Sequence, residues 1–413
     1  MRAGVGFYRG HGVAAGQAAA RQALANGAIS RPDLALAFCA ASVGGEQFLQ
    51  GVRSVLGDAA PVIGGTTLGL IDNDHTDYTG NPGAVAVLQW DCPSPVRIAS
   101  AGGLDQDCEK AGRAVVDSLG GTLEEQLLIM FYDSVRTPPS ATSRWALNSS
   151  TPLLAGIEAA GGTVPAIGAG LIGDFRFTAS QMFCGGETSR QHVVAATVPQ
   201  TPGPYIEIMH GCVPLDGTYH TITKIAGDKL YELDGLPIVE VIDELFGSEE
   251  WRQQRPVVNL LTIGRHLGER YGEVREEDYV NRLIIGVLPD GSGIEIFEPD
   301  FAEGDEILFM LRDTGRMVRS TRENTTKLMN RVLADGNTPA FGFYIDCVGR
   351  TAQESHMLEE EAAQVQAVFK QHAVPLLGIY SGVEIAPFRQ RNCGLDWTGV
   401  LTILTEEEVH ARG

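Results

Sequence analysis

Long apolar runs and a disulfide-type cysteine pattern are both missing from this sequence. No apolar segment approaches the length needed to span a bilayer. Met1–Phe7 has the character of a first strand and not of a signal peptide. The seven cysteines are irregularly spaced without a CxxC pair, which favours reduced thiols over a disulfide framework or a structural zinc site. We therefore expect a cytoplasmic protein that is not inserted in a membrane.

Positive charge is also scarce. The chain has 31 Lys and Arg residues against 52 Asp and Glu residues, which gives a formal net charge of −21 at pH 7. A nucleic-acid backbone or an anionic membrane surface repels such a chain, so neither is expected as a partner. The phosphate-binding pattern GxxxxGKS/T is absent, which argues against a nucleoside triphosphate as ligand.

What the sequence does contain is one pattern used three times, a Pro followed by two apolar residues and a Gly. The three copies are Pro61–Gly64, Pro165–Gly168 and Pro375–Gly378. Each copy follows a helix-like stretch, and each of those stretches follows another apolar run, namely Leu34–Phe38, Leu127–Phe131 and Ala340–Ile345. This succession predicts three strand–helix–strand units with parallel pairing and right-handed crossovers. Ligands of such sheets bind beyond the carboxyl ends of the strands.

The Pro- and Gly-rich segment Val198–Pro204 predicts a linker near the middle of the chain. We therefore predict an α/β fold with mixed sheets in two similar-sized halves, residues 1–203 and residues 204–413. Residues 84–89 and 96–101 are predicted to form paired strands. Residues 353–372 are predicted to be a helix whose Glu359–Glu361 run forms a solvated face and not a metal site.

Four motifs occur in the order seen in FIST sensory proteins. They are Gly64–Gly69 (GGTTLG), Leu233–Pro237 (LDGLP), Cys347–Arg350 (CVGR) and Gly378–Ile385 (GIYSGVEI). The chain resembles this family over almost its entire length, in both the FIST N-terminal and the FIST C-terminal regions. The resemblance implies a stand-alone sensory module that binds a small molecule, such as an amino acid, and signals to a partner protein. Whether the chain forms a homo-oligomer is left open.

Some bacterial members of the family look like haem proteins that sense nitric oxide and control a histidine kinase, which makes a haem-based sensor with haem b the alternative. This chain differs from the family pattern at three places. Val383 intervenes before Glu384, His210 stands where Gln is common, and Asp396-Trp397-Thr398 replaces an Asn-His-Thr run.

Gly64, Gly65, Thr66 and Thr67 form a first candidate ligand site. Glycines after a strand let backbone N–H groups approach a ligand closely, and the two hydroxyls add polar contacts. The alternative is a tight turn from strand to loop.

Cys347, Arg350, Tyr380 and Glu384 form the second candidate site, because all four follow predicted strands of the third unit. The Arg350 guanidinium suits a carboxylate and Glu384 suits an ammonium group, so together they suit a zwitterion. The alternative is an Arg350–Glu384 ion pair that only closes the fold.

Catalysis is not expected, because no nucleophile is visibly joined to a base. Cys347 as a nucleophile would need a base such as His356 within reach, and a Cys at a strand end is more often a small buried hydrophobe. An enzyme acting on a small metabolite through Cys347 or Glu384 remains the third alternative.

The haem alternative needs an axial ligand, commonly a histidine. His210, at the end of an apolar strand, is the first candidate, and His356 is the second. No CxxCH motif is present, so such a haem would be non-covalent. The competing interpretation for each is a hydrogen-bonded core histidine or a surface histidine.

Overall fold

This computed structural model describes residues 1–91, 96–121, 123, 126–140, 145–199, 204–253, 261–270, 272–389 and 391–406. Over these ranges, no helix combines the length and the apolar character that crossing a bilayer requires. The predicted division at residues 203 and 204 borders residues 200–203, which lie outside the described ranges, and it stays a prediction.

Within the described residues the chain forms three units with the same succession of elements. The first contains β1 (Arg2–Arg9), α1 (Gly12–Gly27), β2 (Leu34–Ala40), α2 (Gly45–Leu56), β3 (Val62–Thr67), β4 (Leu70–Asp72), β5 (Thr76–Asp77) and β6 (Pro82–Gln89). The second contains β7 (Arg97–Gly102), α3 (Cys108–Ser118), β8 (Gln126–Asp133), β9 (Val135–Thr137), β10 (Ala146–Leu147), α4 (Ser150–Gly161), β11 (Ala166–Leu171), β12 (Met182–Cys184), β13 (Glu187–Ser189) and β14 (His192–Pro199).

The third unit carries an insertion between its first strand and its first helix. It starts with β15 (Tyr205–Met209). The insertion contains β16 (Val213–Pro214), β17 (His220–Ala226), β18 (Lys229–Leu233), β19 (Leu236–Pro237), α5 (Ile238–Phe246), β20 (Leu261–His266), β21 (Tyr279–Arg282), β22 (Ile284–Val287), β23 (Ile294–Ile296) and β24 (Glu306–Leu311), whose strands form a sheet of their own. The unit then resumes with α6 (Thr314–Ala334), β25 (Pro339–Cys347), α7 (Ala362–Gln371), β26 (Leu376–Ser381), β27 (Val383–Phe388), β28 (Arg391–Leu395) and β29 (Gly399–Thr405).

Each unit builds a sheet with the same strand order. The orders are β1-β6-β2-β3, β7-β14-β8-β11 and β15-β29-β25-β26. The last two strands of each order are parallel, and the others run antiparallel to their neighbours. The predicted α/β class and the three strand–helix–strand units are confirmed. The predicted pairing of residues 84–89 with 96–101 is wrong, because β6 and β7 each pair inside their own unit.

The three sheets are joined by a cyclic exchange of hairpins. The β12–β13 hairpin of the second unit pairs with β3 of the first unit. The β27–β28 hairpin of the third unit pairs with β11 of the second unit. The β4–β5 hairpin of the first unit pairs with β26 of the third unit, which closes the cycle. The first strand of each hairpin, namely β12, β27 or β4, pairs in antiparallel fashion with the last strand of the receiving sheet. The exchange therefore gives every one of these three strands a partner on both sides.

The glycine of the repeated motif allows the two parallel strands of a unit to approach each other. A Cβ atom at that position would lie against the carbonyl oxygen of the neighbouring strand. The distances are 1.9 Å for Gly64 to Ala37, 1.8 Å for Gly168 to Met130 and 2.9 Å for Gly378 to Tyr344. The repeat is thus explained by backbone packing.

A shared core lies where the three sheets face one another. Phe38 packs edge to face against Phe131, with ring centroids 4.9 Å apart. Phe343 completes the group, with its centroid 6.2 Å from Phe38 and 5.9 Å from Phe131. Each unit contributes one ring, so burial of these apolar faces stabilises all three units together.

Candidate ligand-binding cleft

A cleft of about 640 Å³ opens between the second unit, the insertion and the third unit. The second unit contributes Trp145 and the loop Phe175–Phe177, and the insertion contributes Phe297. The third unit contributes the ends of β25 and β26, through Cys347 and Gly382. The cleft therefore lies at the carboxyl ends of parallel strands, where open α/β sheets bind ligands.

Aromatic side chains form much of the lining. The Trp145 and Phe177 rings are stacked, with centroids 4.5 Å apart and an interplanar angle of 12°. Phe297 lies 6.3 Å from Trp145 in a tilted arrangement. On the third unit, Trp397 contributes to the wall. A volume of this size with an apolar, aromatic lining is typical of small-molecule sites.

The Trp397 indole is positioned by contacts with Arg312 and Gly349. The Arg312 guanidinium lies over its indole, 4.4 Å from the ring centroid, and Arg312 Nη2 donates to the Gly349 carbonyl at 2.6 Å. A Cβ atom on Gly349 would lie 2.2 Å from Trp397 Nε1. Gly349 therefore leaves the space that the indole occupies.

Asp396 is a buried acid in the wall of the cleft. Its side chain is only 3% exposed, and its Oδ2 accepts a hydrogen bond from the Leu283 backbone at 2.8 Å. Its Oδ1 has no hydrogen-bond partner among the described residues, and Arg282 Nη1 is 3.9 Å away. Burial raises the pKa of Asp396 to about 7, against the opposing effect of Arg282. The wall of the cleft thus contains a buried carboxyl group with one oxygen that accepts no hydrogen bond from the described residues and with a pKa near neutrality.

The insertion is fixed to the second unit by Glu298, next to the cleft residue Phe297. The Glu298 carboxylate accepts hydrogen bonds from the backbone N–H groups of Ser150 at 3.0 Å and Thr151 at 3.2 Å, and from the hydroxyls of both residues. It therefore caps the N-terminus of α4, where a negative charge is stabilising.

Among the residues predicted to form the second site, Cys347 lines the cleft. Burial, followed by the nearby charge of Glu384, raises the pKa of its thiol well above the usual range. A thiol that stays protonated is a poor nucleophile.

Arg350 is fully buried and is not paired with Glu384. Its Nη2 lies 2.5 Å from Glu361 Oε1, and its Nε lies 3.2 Å from Asp346 Oδ1. Its Nη1 donates to the carbonyl oxygens of His210 at 3.1 Å and Trp397 at 2.9 Å. The guanidinium therefore joins several elements of the third unit and holds the backbone of Trp397.

The glutamate run is not a solvated face, so that prediction is wrong for two of its three members. Glu361 is fully buried and accepts hydrogen bonds from Arg350 and from the Tyr344 hydroxyl at 3.0 Å. Glu360 accepts from the hydroxyls of Tyr78 at 2.7 Å and Tyr380 at 2.9 Å. Helix α7 begins only at Ala362, because Glu360 and Glu361 before it form these polar contacts and do not continue a helix.

Tyr380 and Glu384 are also buried in polar contacts. The Tyr380 ring packs edge to face against Tyr78, with centroids 5.8 Å apart. Glu384 accepts from the Ser381 hydroxyl at 2.8 Å and from the Thr398 backbone at 3.3 Å. Burial raises the pKa of Glu384 well above its usual range. Tyr380 lies in β26 of the third sheet, Arg350 follows β25, and Glu384 lies in β27, which pairs with the second sheet; none of the three lines the cleft.

The first predicted site lies inside strand β3. Gly64 and Gly65 pair on one side with β2 and on the other with the borrowed strand β12. Thr66 accepts at its hydroxyl from the Gln181 backbone at 2.9 Å, and Thr67 donates to the Tyr380 carbonyl at 2.5 Å. The structure does not bring these residues together with Cys347 at the cleft.

The two histidines that were candidates for a haem ligand differ in burial. His210 is 1% exposed, its Nδ1 accepts from the Cys212 backbone at 2.9 Å, and its Nε2 lies 2.9 Å from the Glu276 carbonyl. This pattern fixes a neutral ring with Nε2–H as donor, so neither nitrogen of His210 fits an iron ligand here. His356 is exposed, in the segment before α7. In the described ranges, no group of three His, Cys, Asp or Glu residues is arranged to hold a metal ion.

Sequence reasoning missed most of the cleft. Trp145, Phe177, Phe297 and Asp396 come from loops that lack a periodic pattern. One signal was available, because Asp396-Trp397 is a place where the chain departs from the FIST pattern.

This chain is similar to two mycobacterial proteins over about half of its length. The chain is 23% identical over 215 residues to uncharacterized proteins of Mycobacterium bovis and Mycobacterium tuberculosis, matching 52% of this chain and 54% of each relative. The match thus spans about half the length of these relatives. The PurLQS structure from Thermotoga maritima has a TM-score of 0.21 at 10% identity, covering 98% of this chain and 72% of that one. T. maritima PurL complexed with ATP gives 0.21 at 11% identity, covering 98% and 71%. A TM-score this low does not indicate a shared fold.

The family models are decisive. The FIST N domain matches residues 33–236 and the FIST C domain matches residues 239–387. Three of the four motifs that resemble FIST proteins lie inside these ranges, and Leu233–Pro237 lies at the boundary between them. The chain therefore belongs to the FIST family, which is associated with sensory signalling.

Proposed function

We propose that this protein is a cytoplasmic, non-catalytic sensor that binds a small organic molecule in the cleft and signals to a partner protein. The observation that carries the proposal is the aromatic cleft of about 640 Å³ between the second unit, the insertion and the third unit. Membership of a sensory family supports the same function.

The position of the cleft supports a link between binding and conformation. Gly382 lines the cleft and separates β26, in the third sheet, from β27, which is lent to the second sheet. The Gly382 backbone donates to the Gly170 carbonyl at 2.8 Å. A ligand here would contact the chain where it crosses from the third sheet to the second sheet. Such a ligand shifts the relative arrangement of the two sheets if it binds one arrangement more tightly than another.

The haem-sensing alternative has no specific observation in its favour, since both ring nitrogens of His210 are hydrogen-bonded to backbone groups. The enzyme alternative is weakened by the protonated thiol of Cys347. Nitric oxide sensing and regulation of a histidine kinase remain untested predictions.

The proposal is tested by screening metabolites against the purified chain for an increase in thermal midpoint and a change in tryptophan emission. Trp145 and Trp397 both line the cleft, so a bound molecule should alter their fluorescence. Ile285→Trp fills the cleft from the insertion side and should abolish both responses. Leu236→Trp adds the same side chain at an exposed position and serves as the matched control.

Hydrogen exchange tests the signalling part. Ligand binding should increase amide protection in β27 and β28, and Ile285→Trp should prevent the increase. Compounds that stabilise the Ile285→Trp variant as much as the parent protein would place binding elsewhere and refute the cleft assignment.

A further inference from the structure

The chemistry of the cleft wall narrows the ligand class, an inference that rests on the proposed ligand-binding function. The important feature is Asp396 Oδ1, a buried carboxylate oxygen in a residue that lines the aromatic cleft, for which the described part of the chain supplies no hydrogen-bond donor. A buried acceptor left without a donor is costly, so such atoms in native structures call for an explanation.

The neighbouring charges do not supply the missing donor. Arg282 is the nearest cation, but its Nε and Nη2 are bonded to Asp300 at 2.9 and 2.7 Å. Its Nη1 donates to the Asn281 carbonyl at 2.9 Å and remains 3.9 Å from Asp396. The guanidinium is therefore occupied by another carboxylate and by a backbone carbonyl, and it makes no hydrogen bond to Asp396 Oδ1.

The other acids near Asp396 are already engaged. Glu298 caps helix α4, and Glu384 accepts hydrogen bonds from Ser381 and Thr398. Glu298 increases the negative potential around Asp396 without competing for a ligand in the cleft, whereas burial favours the protonated, neutral form of Glu384.

The rest of the lining favours a cation with a flat body. The Trp145–Phe177 stack, Phe297 and Trp397 provide aromatic surface, which attracts cations and flat apolar groups. Charged lining residues are Asp396 and Glu354 against Arg176, and the whole chain carries a formal charge of −21. An anionic ligand would meet an excess of negative charge in the wall.

We propose that the cleft binds an organic monocation with a flat apolar body, such as an arylalkyl amine, whose N–H donates to Asp396 Oδ1. The body of the ligand lies among the aromatic rings. A charge-assisted hydrogen bond in a desolvated site accounts for selectivity against neutral and anionic molecules of the same shape.

The test uses three probes that share one ring system, namely para-phenylbenzylamine, para-phenylbenzyl alcohol and para-phenylbenzoate. Dissociation constants are measured by titration calorimetry. The amine should bind about tenfold or more tightly than the alcohol, and the benzoate should bind most weakly. Asp396→Asn should remove the preference for the amine while keeping binding of the alcohol. Glu354→Gln, at an exposed carboxylate of the cleft, is the matched control and should keep the preference.

Proton release gives a second measurement that needs no variant. Asp396 has a pKa of about 7, set by burial and by Arg282, Glu298 and Asp300, with Glu384 and Tyr132 also close enough to interact. The amine favours the ionised acid, so its affinity should rise from about pH 6 to about pH 8 and binding should release protons. The alcohol should not show this rise.

The outcomes separate this inference from the proposed function. Equal or reversed affinities, no binding by any of the three probes, or an amine preference that survives Asp396→Asn overturn the monocation assignment. If neutral or anionic molecules from the metabolite screen bind in a manner that Ile285→Trp abolishes, the cleft remains the ligand site. If no molecule of any charge binds in that manner, the proposed function fails as well.

Discussion

Arg350 and Glu361 form an ion pair in which both side chains are fully buried, with Nη2 and Oε1 2.5 Å apart. The pair lies eleven residues apart in sequence, across a turn and an irregular segment that separate β25 from α7. Arg350 also reaches Asp346, whose pKa is raised well above its usual range by burial and by the charge of Glu361. One guanidinium therefore compensates a small acidic cluster inside the third unit.

The first prediction follows from this pair. Arg350→Lys should lower the free energy of unfolding by about 3 to 5 kcal/mol, because Lys cannot satisfy two carboxylates and two carbonyls and leaves buried charge uncompensated. Chemical denaturation measures the loss. The half-exposed Arg389, paired with Asp278, is the control, and Arg389→Lys should change stability by less than about 1 kcal/mol. A wild-type midpoint in Arg350→Lys would show that the guanidinium is not part of the scaffold.

The second prediction concerns the packing of Trp397. Gly349→Ala places a Cβ atom 2.2 Å from the indole Nε1, so the ring must move away from its position over Arg312. Tryptophan emission should shift, cleft ligands should bind more weakly, and stability should fall by about 1 to 3 kcal/mol. Gly186→Ala is the control, because its Cβ would approach no atom closer than 3.8 Å. Unchanged emission and affinity in Gly349→Ala would contradict the role given to this glycine.

The third prediction concerns the pH dependence of stability. The pKa of Asp396 is about 7 in the folded protein, above its usual value of 3.8. At pH values between 3.8 and about 7, Asp396 is ionised in the unfolded chain but still protonated in the folded protein. Its contribution to the free energy of unfolding therefore falls as pH rises and levels off above about pH 7. The full effect is on the order of 4 kcal/mol. Asp396→Asn should therefore gain stability relative to the parent protein between about pH 5 and about pH 8.

Denaturation at several pH values checks that trend. A difference between variant and parent that stays constant with pH would show that Asp396 ionises normally in the folded protein.

The fourth prediction ranks alanine variants of the three repeated glycines by their loss of stability. Gly64→Ala and Gly168→Ala drive a Cβ atom into a carbonyl oxygen of the adjacent parallel strand, whereas the contact at Gly378 is 2.9 Å. Gly64 also has a φ of +148°, which L side chains rarely adopt. Soluble yield and thermal midpoint should fall most in the first two variants and least in Gly378→Ala. The reverse order would mean that close strand approach is not the reason for the repeat.

The repeated units were predictable because their signal is local. Apolar runs, the Pro-x-x-Gly pattern and helix-like stretches follow one another within about fifty residues, and the strands at Val62, Ala166 and Leu376 appear where the pattern places them. Pairing between units was not predictable in the same way. Residues 84–89 and 96–101 are adjacent in sequence, but each strand satisfies its hydrogen bonds inside its own unit.

The cleft was only partly predictable for a related reason. Cys347 was located correctly at a strand end, because strand ends can be read from an apolar run. Arg350 and Glu384 are predicted to bind a zwitterion together or, alternatively, to pair with each other, yet the Arg350 guanidinium pairs with Glu361, which also accepts a hydrogen bond from Tyr344. Trp145 and Phe297 meet across about one hundred and fifty residues of chain, a distance that no local pattern encodes.

The cyclic lending of hairpins makes the three units topologically interdependent. A fragment ending near residue 203 would keep β11 but lose its neighbour β27, while the complementary fragment would keep β26 but lose β4. Each piece would then present a bare, apolar strand edge, the kind of surface on which chains aggregate. Gene fission or circular rearrangement at that point is thus disfavoured unless both fragments are made together and reassemble, which gives natural selection a physical reason to keep them on one polypeptide.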